Sequence, residues 1–444
     1  MKHIKTYNYP RRVWRFMNAA LLLVACAIAP FGCTISEEPL PECPGKGETV
    51  PLRVSFSMSA AYDKSPLFTR TDPDNHPEVE ADNLWEDAID ISSGDYAIYA
   101  FNADGECTFS SRALPAGSDD LKVFGSPSSG YVVNSYIGDV DLTGVPDEVT
   151  FTVVVMANIE STGGGTYPTP AVKSKAEDGT VTAGTSIAEF ESNKVLFTLH
   201  SSNTTGWYPG EEFTEGGKTR TAFIPMYGKK QYKIKKTVLS DPSNPQYQLT
   251  DIAPMYLLRA LAKVEIIDAI DKENGNDEPG IESVKIYGFR KDGWLTPDNF
   301  IEYNQVADLT IPEGELGENS VPNVSAWPMK AFRGDKVIAN VDGKDIVRTV
   351  NFWRIYIPEQ ALADIPDRQI APSPPIASIT IKGITDGGRE INFNKYTSAT
   401  SFSSKIMRNH IYRVAVMNLK AETTLVYTVC PWDGEYEINP PAFE

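Results

Sequence analysis

Histidine and cysteine are scarce, four and five in 444 residues. His3, His76, His200 and His410 stand far apart, so a His-based triad or a His-rich metal site has few members to draw on. No C-x-x-C pair is present for zinc or redox work, and none of the H-E-x-x-H, G-x-S-x-G or G-x-x-x-x-G-K-[ST] patterns occurs. Cations are few as well: 41 Lys and Arg stand against 59 Asp and Glu, a net charge of −18. Such a surface repels nucleic acid and anionic lipid, which sets nucleic-acid binding aside. The glycine-rich stretch STGGGT (161–166) is followed by no helical pattern that would aim N–H groups at a phosphate, and it reads as a flexible loop. The acidic segments DPDNHPEVEAD (72–82) and DKENGNDEPG (271–280) lack the Gly at position six and the Glu at twelve of an EF-hand, and read as solvated loops. Nothing marks out a glycosidase-type carboxylate pair. The chain is therefore expected to have no catalytic residues, no metal and no cofactor.

What is present begins at the amino terminus. Met1 to Arg15 holds Lys2, Lys5, Arg11, Arg12 and Arg15 without an acid, and the apolar AALLLVACAIA follows, a basic region before a short hydrophobic one. About eleven apolar residues are too few for the ~20 that span a bilayer, so residues 1–32 read as a cleaved export signal. Two cysteines compete as the lipid acceptor of a bacterial lipoprotein. Cys26 in LVAC has the better local motif but leaves a hydrophobic region of only about seven residues. Cys33 in PFGC leaves a run of ordinary length and opens an acidic tether, residues 33–49, with Glu37 and Glu38. Cys33 is the preferred site, with Cys26 and an unlipidated cut as the alternatives. Without residues 1–32, 412 of the 444 residues remain and the loss of five cations takes the net charge from −18 to −23. Cys43, Cys107 and Cys430 are then too sparse for a disulfide scaffold.

Beyond the tether the periodicity is that of strands. LRVSFSM puts Leu52, Val54, Phe56 and Met58 on one face and Arg53, Ser55 and Ser57 on the other, a half-buried strand. Similar runs cover 95–101, 131–140, 148–158, 194–200, 221–228, 349–358, 377–384, 410–419 and 423–432, with 32 prolines and 32 glycines punctuating the chain. Many short strands without a helical rhythm predict an all-β chain of β-sandwiches. MYLLRALAKVEIIDAI (255–270) is ambiguous, because its Ala, Leu, Arg and Lys favour helix. Its alternation of Leu258, Ala260, Ala262, Val264 and Ile266 against Arg259, Lys263 and Glu265 predicts a strand in its first half. The turn-rich stretch before it places a domain boundary near residue 250, giving an N-terminal domain over 50–250 and a C-terminal one over 251–444, each long enough for its own core.

Several phrases together resemble the fimbrillins, the FimA/Mfa-like subunits of type V pili: FTVVVMAN, FIPMYG (223–228), LLRALAKVEI (257–266), WRIYIPE (353–359), RNHIYRVAV (408–416) and the closing VCPW (429–432). The resemblance implies two tandem transthyretin-like β-sandwich domains and export as a lipoprotein held in the outer membrane. It implies removal of the first strand by a trypsin-like, Arg-specific protease, and polymerisation with other fimbrial subunits by donor-strand exchange. For those roles the sequence offers Arg70, in a Pro- and Asp-rich loop after the first strand. The displaced strand would carry Leu52, Val54, Phe56 and Met58, and the donor candidate is a C-terminal run with Leu425, Tyr427 and Val429 on one face. That run reads nearly as well as an ordinary last strand of its own domain. Cutting at Arg70 fits a shaft or accessory subunit, an uncut Arg70 a membrane anchor or terminator, and a C-terminal strand that cannot donate a tip adhesin. The competing class is a surface lipoprotein that binds glycans, with Trp85, Trp207, Trp294 and Trp327 as stacking residues or, more simply, as core and rim aromatics.

Overall fold

The computed structural model of the chain describes residues 49–59, 84–115, 117–127, 129–141, 148–200, 207–215, 217–235, 248–270, 280–287, 291–297, 327–341, 344–361, 378–383, 389–392, 405–406, 408–417 and 425–431. The alternation that starts at Leu52 becomes β1 (Thr49–Ser59), followed by β2 (Tyr96–Phe101), β3 (Cys107–Ser110), β4 (Leu121–Ser126), β5 (Gly130–Asp141) and β6 (Glu148–Ala157). A small ribbon, β7 (Ser174–Lys175) with β8 (Val181–Thr182), precedes the helix α1 (Ile187–Ser192) and β9 (Leu196–Thr198). A second ribbon, β10 (Glu212–Glu215) with β11 (Lys218–Thr221), leads to β12 (Met226–Lys235), β13 (Gln248–Tyr256) and β14 (Leu258–Arg259). The second half holds β15 (Leu261–Asp268), β16 (Ile281–Tyr287), β17 (Asp292–Trp294), β18 (Trp327–Pro328), β19 (Lys330–Val341) and β20 (Lys344–Pro358). It ends with β21 (Gln360–Ala361), β22 (Ser378–Gly383), β23 (Arg389–Asn392), β24 (Lys405–Ile406), β25 (His410–Val416) and β26 (Leu425–Pro431). The described chain is all-β apart from one short helix and two turns of 3-10 geometry.

The strands form two pairs of larger sheets. In the first half the orders are β13-β1-β5-β4 and β14-β12-β6-β2-β3; in the second they are β19-β20-β15-β25-β26 and β18-β16-β22-β23. The first pair faces across a shared core, with the rings of Phe56 on β1 and Tyr232 on β12 6.2 Å apart. Its central strand β6 is continuously apolar from Val153 to Ala157, as expected where a sheet is covered on both faces.

One pattern recurs in both halves. The opening strand β1 lies between an antiparallel partner, β5, and a parallel one, β13. The opening strand of the second half, β15, lies in the same way between antiparallel β20 and parallel β25. The hairpins β4–β5 and β19–β20 complete the correspondence. β26 stands outside it, as an extra edge strand paired antiparallel to β25.

The first half of 255–270 is strand, as expected, and the sheet that the chain joins changes at Ala260. Residue 250 lies inside β13, which pairs with β1, and β14 still pairs with β12. Only from Leu261 does the chain enter the second half's sheet. The alternation there also misleads: every residue of β15 is buried, Lys263 and Glu265 included. The run 221–228 is not one strand, because 222–225 forms a buried connection between β11 and β12. Residues 161–166 are tied down rather than loose. The His200 and Thr198 N–H groups donate to the carbonyls of Thr162 and Gly164 at 2.8 and 3.2 Å. A Cβ on Gly163, whose φ is +122°, would fall 2.5 Å from His200 Cβ, so glycine there serves close approach to the chain just after β9.

Candidate functional site

β1 is the first strand of the described chain, yet it occupies the inside of a sheet. Its register sets Leu52, Val54, Phe56 and Met58 opposite Gly138, Ser135, Val133 and Tyr131 of β5. On its other side Val54, Phe56 and Met58 stand beside Leu249, Ile252 and Met255 of β13, with bulges between successive pairs. The four predicted side chains are 1–2% exposed and lie in the main hydrophobic core, whereas Pro51 and Ser57 face solvent. Arg53, half-exposed on the outer face, pairs with Asp120 at 2.8 Å. β13 went unrecognised in the sequence because Asp251 and Pro254 interrupt its apolar pattern. Taking β1 away would open a slot the length of a strand, walled by the backbones of β5 and β13 and floored by the core.

The predicted donor residues Leu425, Tyr427 and Val429 fall on β26, in register with Val416, Val414 and Tyr412 of β25. Among the described strands β26 has a neighbour on one side only, so its removal would leave the rest of its sheet paired. Cys33 and Arg70 lie outside the described residues, as do the segment 72–82 and all but the last residue of 271–280. Of the four tryptophans, Trp207 and Trp327 are buried at 2% and 7% exposure, Trp294 is half-buried, and Trp85 is 43% exposed.

Buried charged side chains join the halves. Glu86, in the 3-10 turn Leu84–Glu86, accepts from Lys263 at 2.7 Å and from the Tyr356 hydroxyl. Arg259 donates to the Glu86 carbonyl at 3.1 Å, to Asn409 Oδ1 at 3.0 Å and to Asp87. Next to them, Glu265 sits in register with Arg354 on one side and Arg413 on the other. It accepts from Arg354 at 2.6 and 2.9 Å and from Arg413 at 2.9 Å, with Lys336 at 3.5 Å. Burial alone would raise the Glu265 carboxyl, but Lys336, Arg354, Arg413 and Lys263 outweigh it and hold it well below the usual carboxylate range. Glu86 is likewise lowered, its burial outweighed by Lys263 and Arg354 and by the bonds from Lys263 and Tyr356. Carboxylates kept ionised in this way suit a structural network, not proton donation. Periodicity could not reveal them, because their partners are far off in sequence.

His410, fully buried, is drawn down to about 4 by that burial against the bond of its Nδ1 to the Arg408 carbonyl. The Cys107 thiol is pushed up to about 11 by burial, which leaves it inert as a nucleophile. Among the described residues no three His, Cys, Asp or Glu side chains converge as a metal site, and no helix is long and apolar enough to cross a membrane.

No protein-family model matches the chain, and no curated protein does. Among solved structures the fold is similar to the tip fimbrial protein Mfa3 from Porphyromonas gingivalis with C-terminal truncation. That likeness has 12% identity and a TM-score of 0.43, over 87% of this chain and 100% of that one. It is also similar to a fimbrial assembly protein from Parabacteroides distasonis, at 13% identity and a TM-score of 0.36, over 87% of this chain and 98% of that one.

Proposed function

We propose that the chain is a structural, adhesive subunit of cell-surface fimbriae, built from two tandem transthyretin-like β-sandwich domains that meet at Ala260. It is exported as a lipoprotein acylated at Cys33 and held in the outer membrane. A trypsin-like protease cuts after Arg70, which severs the subunit from its lipid and leaves β1 held only by its strand pairing and its buried side chains. A strand from the next subunit then fills the slot between β5 and β13, and the donor is β26.

The observation that supports this reading most is the placement of β1: first in the described chain, but interior in its sheet. An interior strand that can leave exposes two rows of unmet N–H and C=O groups, a template that one matching strand satisfies. Full desolvation of its four apolar side chains is worth about 1.5–3 kcal/mol each, so the vacated slot binds a replacement strongly before ordering costs. The supernumerary position of β26 supplies the matching part, since the repeated four-strand pattern of the second half is complete without it.

The test is direct. The full chain is treated with an Arg-specific protease, its new amino terminus is sequenced, and the product is run heated and unheated on denaturing gels. Thr71 as the new terminus with a heat-sensitive ladder is expected. A protease-indifferent monomer, or a cut product that never forms a ladder, overturns the proposal.

A further inference from the structure

An open cleft of about 910 Å³ lies in the first half, where residues 85–95, the β4–β5 turn at 125–127, residues 160–161 and β11 converge. Trp85 projects into it, 43% exposed. The indole is fixed from behind. Its ring meets Phe223 edge-on at 5.5 Å, and the backbone at Gly210 passes so close that a Cβ there would sit 2.5 Å from Trp85 Cδ1. Gly210 has φ +85°, a second reason for glycine at this point.

The polar rim is equally well held. Asn158, buried and left-handed at φ 66°, accepts from the Asp90 N–H at 3.0 Å and donates to the carbonyls of Ala88 and Ile224 at 2.8 and 2.7 Å. Asp90 accepts from the Ser92 hydroxyl at 2.8 Å and the Ser93 N–H at 3.1 Å, which orients its carboxylate at the lip. Deeper, Asp95 accepts from the N–H groups of Glu160 and Ser161 at 3.0 and 2.6 Å. Ser161 lines the cleft at 3% exposure, and its hydroxyl has no hydrogen-bond partner. Lys218 and Arg220 of β11 bring positive charge to a lining that also holds Asp90, Asp95 and Glu160.

We propose that this cleft is a saccharide-binding site, with a sugar ring stacked on Trp85 and its hydroxyls on Asp90, Ser92 and Lys218. A pyranose has an apolar C–H face and a rim of hydroxyls that both donate and accept. The cleft offers the complement of each, a rigid aromatic surface beside acceptors and donors in close alternation. Because both signs of charge line it, no field selects a polyanion. Its size is that of a small-ligand pocket, of the order of 300–1,000 Å³. The site does not depend on strand exchange and would serve the same surface role in a subunit that never polymerises.

The purified full chain is titrated with methyl α-mannoside, methyl β-galactoside, N-acetylglucosamine and N-acetylneuraminic acid at millimolar concentrations. Binding is followed by tryptophan fluorescence and saturation-transfer NMR. Saturable binding of at least one sugar is expected, weakened about tenfold or more by Trp85→Ala. Ser92→Trp fills the cleft from its exposed lip and leaves the core untouched, so it keeps the test decisive should Trp85→Ala lower the melting temperature; it is expected to block binding. Failure of all four sugars to saturate, or equal binding by wild type and both variants, overturns the proposal. Protease-triggered ladders are expected to be the same in both variants, which separates this site from assembly.

Discussion

Phe56 is 2% exposed, and its ring faces Tyr232, which itself stacks on Phe151 at 5.4 Å. Phe56→Ala removes a side chain with which β1 fills the slot and is expected to lower unfolding free energy in urea by about 3–5 kcal/mol, against about 0–1 for Arg53→Ala on the outer face. The period-two pattern of LRVSFSM was enough to tell those two residues apart. The same rule failed at Lys263 and Glu265, which it set on a polar face although both are buried. The reason is lateral: Arg354 and Arg413 flank Glu265 from strands 89 and 148 residues away in sequence, and a buried charge becomes tolerable only beside such partners. Glu265→Gln leaves those cations without their acid and is expected to cost about 3–5 kcal/mol. Acid acts in the same direction through His410. Its folded value near 4 lies below its ordinary 6.5, so the unfolded chain takes up the proton first. Stability from this group is complete above pH 6.5 and declines as pH falls toward 4, by up to about 3 kcal/mol. A His410→Gln variant is expected to show a flatter fall in its urea midpoint over that range, and a slope equal to wild type would refute the assignment.

Strands that alternate, β1 and β5 among them, were legible because about one residue in two meets the core. β13 was not, and it is the element the slot depends on, since it forms the parallel wall beside β1. Its parallel pairing joins segments almost 200 residues apart, and no local pattern records which strand will lie next to which. The two walls also explain why proteolysis alone would not discharge β1: paired along both edges, it leaves only when its hydrogen bonds and its buried side chains are lost together. A peptide spanning 49–59 is therefore expected to compete with ladder formation when added to cut subunits, and a version with Val54 and Phe56 both changed to Asp is expected not to. If β26 is the donor, deleting 425–431 leaves a subunit that accepts a strand but cannot give one. Mixed with wild type in rising proportion, such a subunit is expected to shorten the ladder, whereas an unchanged ladder would return β26 to the role of an ordinary edge strand.

At the scale of the molecule the sequence suggested two domains, and the strand order of the sheets repeats one arrangement in the two halves. The physical joint between them is closer than any linker signal implied. Side chains from both halves share one hydrophobic cluster, from Leu52 to Val416. β9 of the first half pairs by its backbone with β17 of the second, Leu196 beside Trp294. Glu86 reaches Lys263 at 2.7 Å and Arg259 reaches Asn409 at 3.0 Å across the same boundary, and the Leu295 N–H donates across it to the Val195 carbonyl at 2.7 Å. Interfaces between loosely coupled domains are more polar and smaller than the cores on either side, and here core, backbone pairing and buried charge all run through the joint. Separate unfolding of one half would strip partners from Glu86 and Lys263 together, a penalty that binds the two transitions into one. Calorimetry of the uncut chain is therefore expected to give a single endotherm whose van't Hoff and calorimetric enthalpies agree. Arg259→Ala is expected to lower its midpoint without splitting it. Two resolved transitions in the wild-type chain would show that the halves are independent beads, and that loss of β1 disturbs only the half that held it.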